Sequence, residues 1–407
     1  MYINTLARGL RKQTGDMMNQ NYNTTIRACC MGYIVQAIVN NFIPLLFVFF
    51  NQDFGIPLSK ITFLVTINFT IQLVIDLVSA GFIDKIGYRA SVILADAMAA
   101  AGILALGILP YIMDPYTGML ISILLYAIGG GLLEVVVSPL VDACPSDHKA
   151  GIMSLLHSFY CWGHVAVVLL STLFFVLFGM KNWRIAAFLW AILPIVNLIH
   201  FLRVPIPKMM TEETHSGFGG LLTQGMFWLM FMLMVCSGAA EQAMSQWVSA
   251  FAEKGLNISK STGDVLGTCM FAAMMGSSRL LYAQISKKVS LKNSMLFSSV
   301  LCVISYLIAG CIKNPAIALI GCGLCGFSVG ILWPGTYSIA SKRIPTGGTT
   351  MFALLALGGD IGCSGGPTLV GLISGAADDN LKLGLLAAII FPVLLILGLL
   401  VLKRKKA

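Results

Sequence analysis

Charge is what this sequence lacks most. Asp, Glu, Lys and Arg make up only 11% of its 407 residues, while 57% are hydrophobic. A water-soluble chain of this length could not keep its surface hydrated on so few charges, so that class is excluded. The five histidines, His148, His157, His164, His200 and His215, show no metal-ligand spacing, which argues against a metal centre and against a metal- or His-based enzyme. No phosphate-cradling Gly-x-x-x-x-Gly-Lys loop occurs, so ATP is not the expected driving force, and no cofactor is expected. The loops and tails are too short for the output domain that a receptor would need.

Long apolar runs are present instead. A transmembrane helix needs about 20 mostly apolar residues, and about twelve such runs can be marked. They cover 27–51, 59–83, 90–112, 117–141, 149–178, 184–202, 222–253, 262–285, 291–312, 315–341, 348–374 and 382–402, and the mean hydropathy is +0.87. The expected fold is an all-α membrane protein with twelve transmembrane helices.

The formal charge of +9 is topological rather than a footprint for nucleic acid. With the amino terminus inside, about 19 of the 26 Lys and Arg fall on the cytoplasmic side, as the positive-inside rule requires. Both termini are therefore expected in the cytoplasm, in a multi-pass protein of the cell membrane (cell inner membrane), with the lipid bilayer as partner. No cleavable signal is expected, since the first run is too long for one. The eleven cysteines are scattered through the runs without a pairing pattern and are expected as small core residues. Cys322 and Cys325 form a CxxC inside an apolar, glycine-rich run with no second pair and no nearby His, which argues against metal or redox use.

The most hydrophilic interior stretch, RVPIPKMMTEETHSGFGG at 203–220, lies between the sixth and seventh runs. It divides the chain into an N-terminal six-helix bundle (1–202), a cytoplasmic linker (203–221) and a C-terminal six-helix bundle (222–407). The halves echo each other weakly: GGLLEVVVSPLVDA (130–143) can be laid over CGFSVGILWPGTYS (325–338), so that Gly131 meets Gly326 and Pro139 meets Pro334. Two like halves rocking about a central site are the architecture of alternating access.

Five acids fall within the runs: Asp76, Asp96, Glu134, Glu241 and Asp360. An ionised side chain at mid-bilayer costs on the order of 3 kcal/mol even on the mildest scale, so such residues tend to face a cavity and to be functional. No Lys lies deep, and the nearest Arg is Arg279, towards one end of the eighth run, so some of these acids should be protonated for part of a cycle. Asp76 and Asp96 lie about 12 and 10 Å from the cytoplasmic loop between them, within reach of Lys85 and Arg89 or of each other, and are expected to be structural or gating; Asp360 lies about 17 Å deep. On the fourth run Tyr126, Gly130, Glu134, Ser138 and Asp142 recur every four residues and form one small or polar stripe. GAAEQAMSQW (238–247) gathers Glu241, Gln242, Gln246 and Trp247; the first run adds Gln36, Asn40 and Asn41, and the tenth adds Trp333 and Tyr337. Amides and carboxylates bond hydroxyl groups and indoles stack on C–H faces, so the set suits a small polyhydroxylated solute. His157 lies at about the depth of Glu134 and is a candidate to share its proton.

AGFIDKIGYR (80–89), after the second run, resembles the major facilitator superfamily signature G-x-L-A-D-R-x-G-R-R/K, with Ala80, Phe82 and Tyr88 as departures. The resemblance implies two pseudo-symmetric six-helix bundles, a gating turn made by Asp84, Lys85, Gly87 and Arg89, and a cavity lined by the first, fourth, seventh and tenth helices. GLLEVVVSP (131–139) resembles the G-L-E-x-x-x-N-P pattern of the fucose permease family of sugar:proton symporters, with Ser138 in place of asparagine. IVNNFIPLL (38–46) resembles its A-N-N segment, and ILWPGTYSIAS (331–341) its tenth-helix pattern. One departure stands out: where that family carries a coupling aspartate shortly after the asparagines, this chain has Ile43 and Pro44.

The resemblance implies a monomeric secondary transporter moving a small polar solute, a sugar first, by proton symport. Substrate contacts are expected from Asn40, Asn41, Glu134, Glu241, Gln242, Gln246, Trp247, Trp333 and Tyr337, and proton coupling from Glu134, Glu241, Asp360 and His157. The alternative is a proton-coupled exporter of amphipathic drugs or metabolites, for which the 21 methionines speak.

Overall fold

The computed structural model describes residues 22–207, 217–248, 251, 267, 269–378 and 380–402. The far end of the expected seventh run and the near end of the eighth lie largely outside them. Among the described residues the chain is helical throughout, and nine helices are long and apolar enough to cross a membrane. In chain order the main helices are α1 (Asn23–Asn41), α2 (Leu58–Ile86), α3 (Tyr88–Leu106), α4 (Pro115–Ala143), α5 (Lys149–Phe178) and α6 (Trp183–Arg203). The second half runs α7 (Gly225–Ser245), α8 (Met270–Ile285), α9 (Leu291–Cys311), α10 (Pro315–Val329), α11 (Gly348–Ala376) and α12 (Ile390–Val401). Short helices extend several of them: Phe47–Asp53 after α1, Leu332–Arg343 after α10 and Leu381–Ala387 before α12.

Prolines explain where crossings bend. Pro44 lacks the N–H that would continue α1, and the chain passes into a 3-10 turn at Ile43–Leu46. Pro334 cannot donate to the carbonyl of Gly330, and α10 breaks there, resuming at Leu332 with proline in its first turn. Pro139 and Pro367 stay inside continuous helices. At the α2–α3 corner Gly87 takes φ 87°, a conformation costly for any residue with a Cβ. The outer faces are apolar: Leu169, Leu173, Val176, Leu177 and Phe178 of α5 are all more than half or about half exposed, as a lipid-facing belt requires.

The repeat seen in sequence has a packing counterpart. A Cβ at Gly131 would meet the backbone of Gln72 on α2 at 3.1 Å, and one at Gly326 would meet the carbonyl of Phe271, the second residue of α8, at 2.5 Å. Matched glycines thus let α4 approach α2 and α10 approach α8. The glycines of GGDIGCSGGP, residues 358–367 of α11, serve close approach as well, for a Cβ at Gly362 or Gly366 would strike the backbone of α7 at 2.0 or 2.4 Å.

Contacts between the halves gather at the end where both termini emerge. Ser341 Oγ donates to Asp142 Oδ2 at 2.5 Å, Ser154 Oγ donates to the Arg279 carbonyl at 2.7 Å, and Gly151 lies against Ser286 and Ala283. α2 also packs on α11 across the same seam. These α5 residues fall in the first turns of a helix about 45 Å long.

Candidate functional site

Near the middle of the bundle, polar side chains from both halves converge. Glu134 on α4 is half-buried, and Gln36 of α1 donates its amide Nε2 to Glu134 Oε2. One turn further on, Ser138 Oγ is 3.0 Å from Tyr33 Oη and 3.4 Å from His157 Nε2, and Tyr33 Oη is 3.3 Å from the same nitrogen. The stripe on α4 therefore faces inward as its spacing predicts. His157 bonds Tyr33 and Ser138 and lies tilted between the rings of Tyr33 and Tyr337, rather than bonding Glu134.

A second group surrounds Asn40. Its Oδ1 accepts from Gln72 Nε2 at 2.7 Å and Asn68 Nδ2 at 3.2 Å, and its Nδ2 donates to Tyr160 Oη at 3.4 Å. A recess beside it is lined by Ile43, Pro44, Asn68 and Tyr126, so the segment that departs from the family pattern faces this recess. Asn41 instead donates to its own helix, at the Ala37 carbonyl.

The second half contributes Glu241 and a residue whose position was not foreseen. Arg279 on α8 is 3% exposed, and its Nη2 stands 3.2 Å from Glu241 Oε2. Its Nε donates to the Gly330 carbonyl at 2.8 Å, the acceptor freed by Pro334. Its Nη1 crosses to the first half, donating to the His157 carbonyl at 2.9 Å and lying 3.1 Å from Cys161 Sγ. The scarcity of internal cations expected from sequence is thus corrected for Glu241, which is ion-paired.

Asp360 on α11 is half-buried, and its carboxyl lies within hydrogen-bonding reach of Asp76 on α2. Asp76 therefore faces the other half rather than Lys85 or Arg89. Asp96 accepts from Asn197 of α6 at 2.9 and 3.2 Å, again away from those bases.

The remaining expected contacts are spread more widely. Trp333 lies over Gly359, whose Cβ would meet the indole at 2.1 Å, so the ring borders the Asp360 turn. Tyr337 is buried, stacked on Phe352 with centroids 5.1 Å apart. Trp247 Nε1 donates to the Pro367 carbonyl at 3.0 Å, Gln246 is exposed, and Gln242 accepts from it at 3.2 Å. In the signature turn, Arg89 donates to the Phe201 and Val204 carbonyls at the end of α6, within its own half, and Lys85 is exposed; the Asp84 side chain lies outside the described residues.

A model of the Major Facilitator Superfamily matches residues 29–367. No curated protein sequence matches significantly. Among solved structures, a variant of the E. coli fucose:proton symporter superposes with a TM-score of 0.79 at 14% identity, covering 95% of this chain and 100% of that one. A fucose transporter structure in the outward conformation gives 0.80 at 15% identity, covering 94% and 99%. A proton:xylose symporter bound to 6-bromo-6-deoxy-D-glucose gives 0.74 at 13% identity, covering 93% and 94%. With a family match over most of its length and this fold from end to end, the chain belongs to the major facilitator superfamily and is a membrane transporter rather than an enzyme.

Proposed function

We propose that this transporter carries a small polar solute, a sugar first, together with protons, and that Glu134 is the group that couples them. The observation that carries this is the setting of Glu134: a half-buried carboxyl near mid-membrane, bonded by the neutral amide of Gln36, while the nearby Arg279 is engaged by Glu241. A neutral partner lets a carboxyl gain and lose a proton without breaking an ion pair. Asn40, with Gln72, Asn68 and Tyr160 around it, supplies hydroxyl-binding groups beside the recess, and Trp333 offers an indole face. Similarity in fold to sugar:proton symporters supports the same reading.

The cross-half contacts made by Asp142, Gly151 and Ser154 fit a state closed at that end, which the positive-inside rule makes the cytoplasmic one. The halves divide in the 203–221 stretch, and one copy contains a complete site. An exporter of amphipathic compounds is the second reading, supported by a likeness in fold to a human organic anion transporter, with a TM-score of 0.71 at 13% identity over 95% of this chain and 100% of that one.

Uptake of labelled sugars and amphipathic anions or cations into proteoliposomes, with and without a proton gradient, tests both. Glu134→Gln is expected to keep substrate exchange and lose uphill accumulation. Gradient-driven uptake unchanged in that variant would remove Glu134 from the coupling role.

A further inference from the structure

We infer that Asp76 and Asp360 form a carboxyl–carboxyl pair that shares a proton and latches α2 to α11, so that loss of this proton lets the halves part at the end where the termini emerge. The inference rests on the transporter reading but on neither the sugar nor Glu134. Asp76 is 0% exposed, and neither of its oxygens has a hydrogen-bond donor among the described residues. α11 of the opposite half packs on α2, and the acid it sets beside Asp76 is Asp360. Two carboxylates have only acceptors to offer each other, so a hydrogen bond between them exists only while one of them carries a proton. Once both are ionised the contact becomes a repulsion inside a poorly screening interior.

Placement makes the pair a latch. Asp76 is about 15 Å from the end of α2 at Ile86, and Asp360 about 18 Å from the start of α11 at Gly348, which puts the pair at the inner limit of the seam between the halves. Among the described residues the nearby groups do not supply a cation to replace the proton. α4 brings Glu134, α7 brings Glu241, the helix Leu332–Arg343 brings Tyr337, and α11 itself brings Cys363. α3 brings Asp96, already bonded to Asn197. Arg279 is held by Glu241. Lys60 and Asp53 belong to the opposite end of α2 and the helix before it, and Lys382 reaches for the Ile312 carbonyl there.

The test needs no substrate. All native cysteines except Cys311 are buried or half-buried, so Ile86→Cys and Pro345→Cys in a Cys311→Ser background can be spin-labelled selectively. Distances between the labels are then measured in lipid nanodiscs from pH 5 to pH 9. The short-distance population is expected to give way to a longer one as pH rises, by up to about tenfold in their ratio per pH unit for one linked proton. Asp76→Asn and, separately, Asp360→Asn each supply an amide N–H that needs no titrating proton, and each should keep the short distance at every pH. Glu134→Gln should leave the pH response in place. The inference is overturned if the parent shows no pH response, if both Asn variants respond as the parent does, or if Glu134→Gln alone abolishes the response. Either Asn variant eluting as a monodisperse peak with the parent's distance at pH 5 shows that the fold is intact.

Discussion

Arg279 and Glu241 form a buried ion pair, 3.2 Å apart, whose cationic member also reaches the backbone of the other half through the His157 carbonyl. One guanidinium therefore binds α7, α10 and α5 at once, and its planar fork suits that many acceptors. Removing it leaves Glu241 buried without its counter-ion. Arg279→Gln should lower stability by about 3 kcal/mol, and the double variant with Glu241→Gln should recover part of the loss. Thermal unfolding of the purified protein checks this; equal losses in the single and double variants would show that the pair itself contributes little.

The matched glycines should not tolerate substitution equally. At Gly326 a new Cβ meets a backbone carbonyl oxygen at 2.5 Å, whereas at Gly131 the nearest atoms lie at 3.1 Å and include the movable side chain of Ile75. Gly326→Ala should cost about 1 to 3 kcal/mol, and Gly131→Ala less. The order of their melting temperatures decides the matter.

Gln72 holds Asn40 by a 2.7 Å hydrogen bond. Gln72→Leu should loosen Asn40 at the cost of about one hydrogen bond, raising the KM for the transported solute about tenfold while leaving the yield of folded protein unchanged. An unchanged KM would take Asn40 out of the binding site.

On the face opposite the termini, Asp114 caps α4, accepting from Thr117 N at 2.9 Å and Thr117 Oγ1 at 2.8 Å. These donors favour the ionised carboxyl and hold it below its ordinary 3.8. Since the folded value is the lower one, its stabilisation is complete above 3.8 and is lost as pH falls through the lowered value. Asp114→Asn keeps a capping side chain without the titration, so its melting temperature should vary less between pH 2.5 and pH 5 than the parent's, as read by parallel melts.

Much of this was legible in the chain. The crossings follow from run length alone, because hydrocarbon leaves backbone groups few ways to be satisfied. Glu134 was legible as inward-facing because a four-residue spacing marks one helix face. Arg279 was not, because an arginine six residues from a helix end looks like one that can reach the interface. Only the three-dimensional packing puts α5, α7 and α10 around it. The partner of Asp76 is hidden for a similar reason: depth along a helix points to the nearby loop and says nothing about which distant helix stands opposite, and Asp360 belongs to the other half of the chain. The absence of an acid at Ile43 and Pro44 was plain in sequence, whereas the amide of Gln36 as Glu134's neighbour needed the fold.

Arg89 clamps the last carbonyls of α6, at Phe201 and Val204, from its place just after the α2–α3 corner. The strand of chain that ties one half to the other begins at that point. Any pull transmitted along this tether arrives at a braced corner shared by α2, α3 and α6, and is resisted by all three as a block instead of unwinding the end of α6 alone. Through α2, the same block carries the helix that bears Asp76.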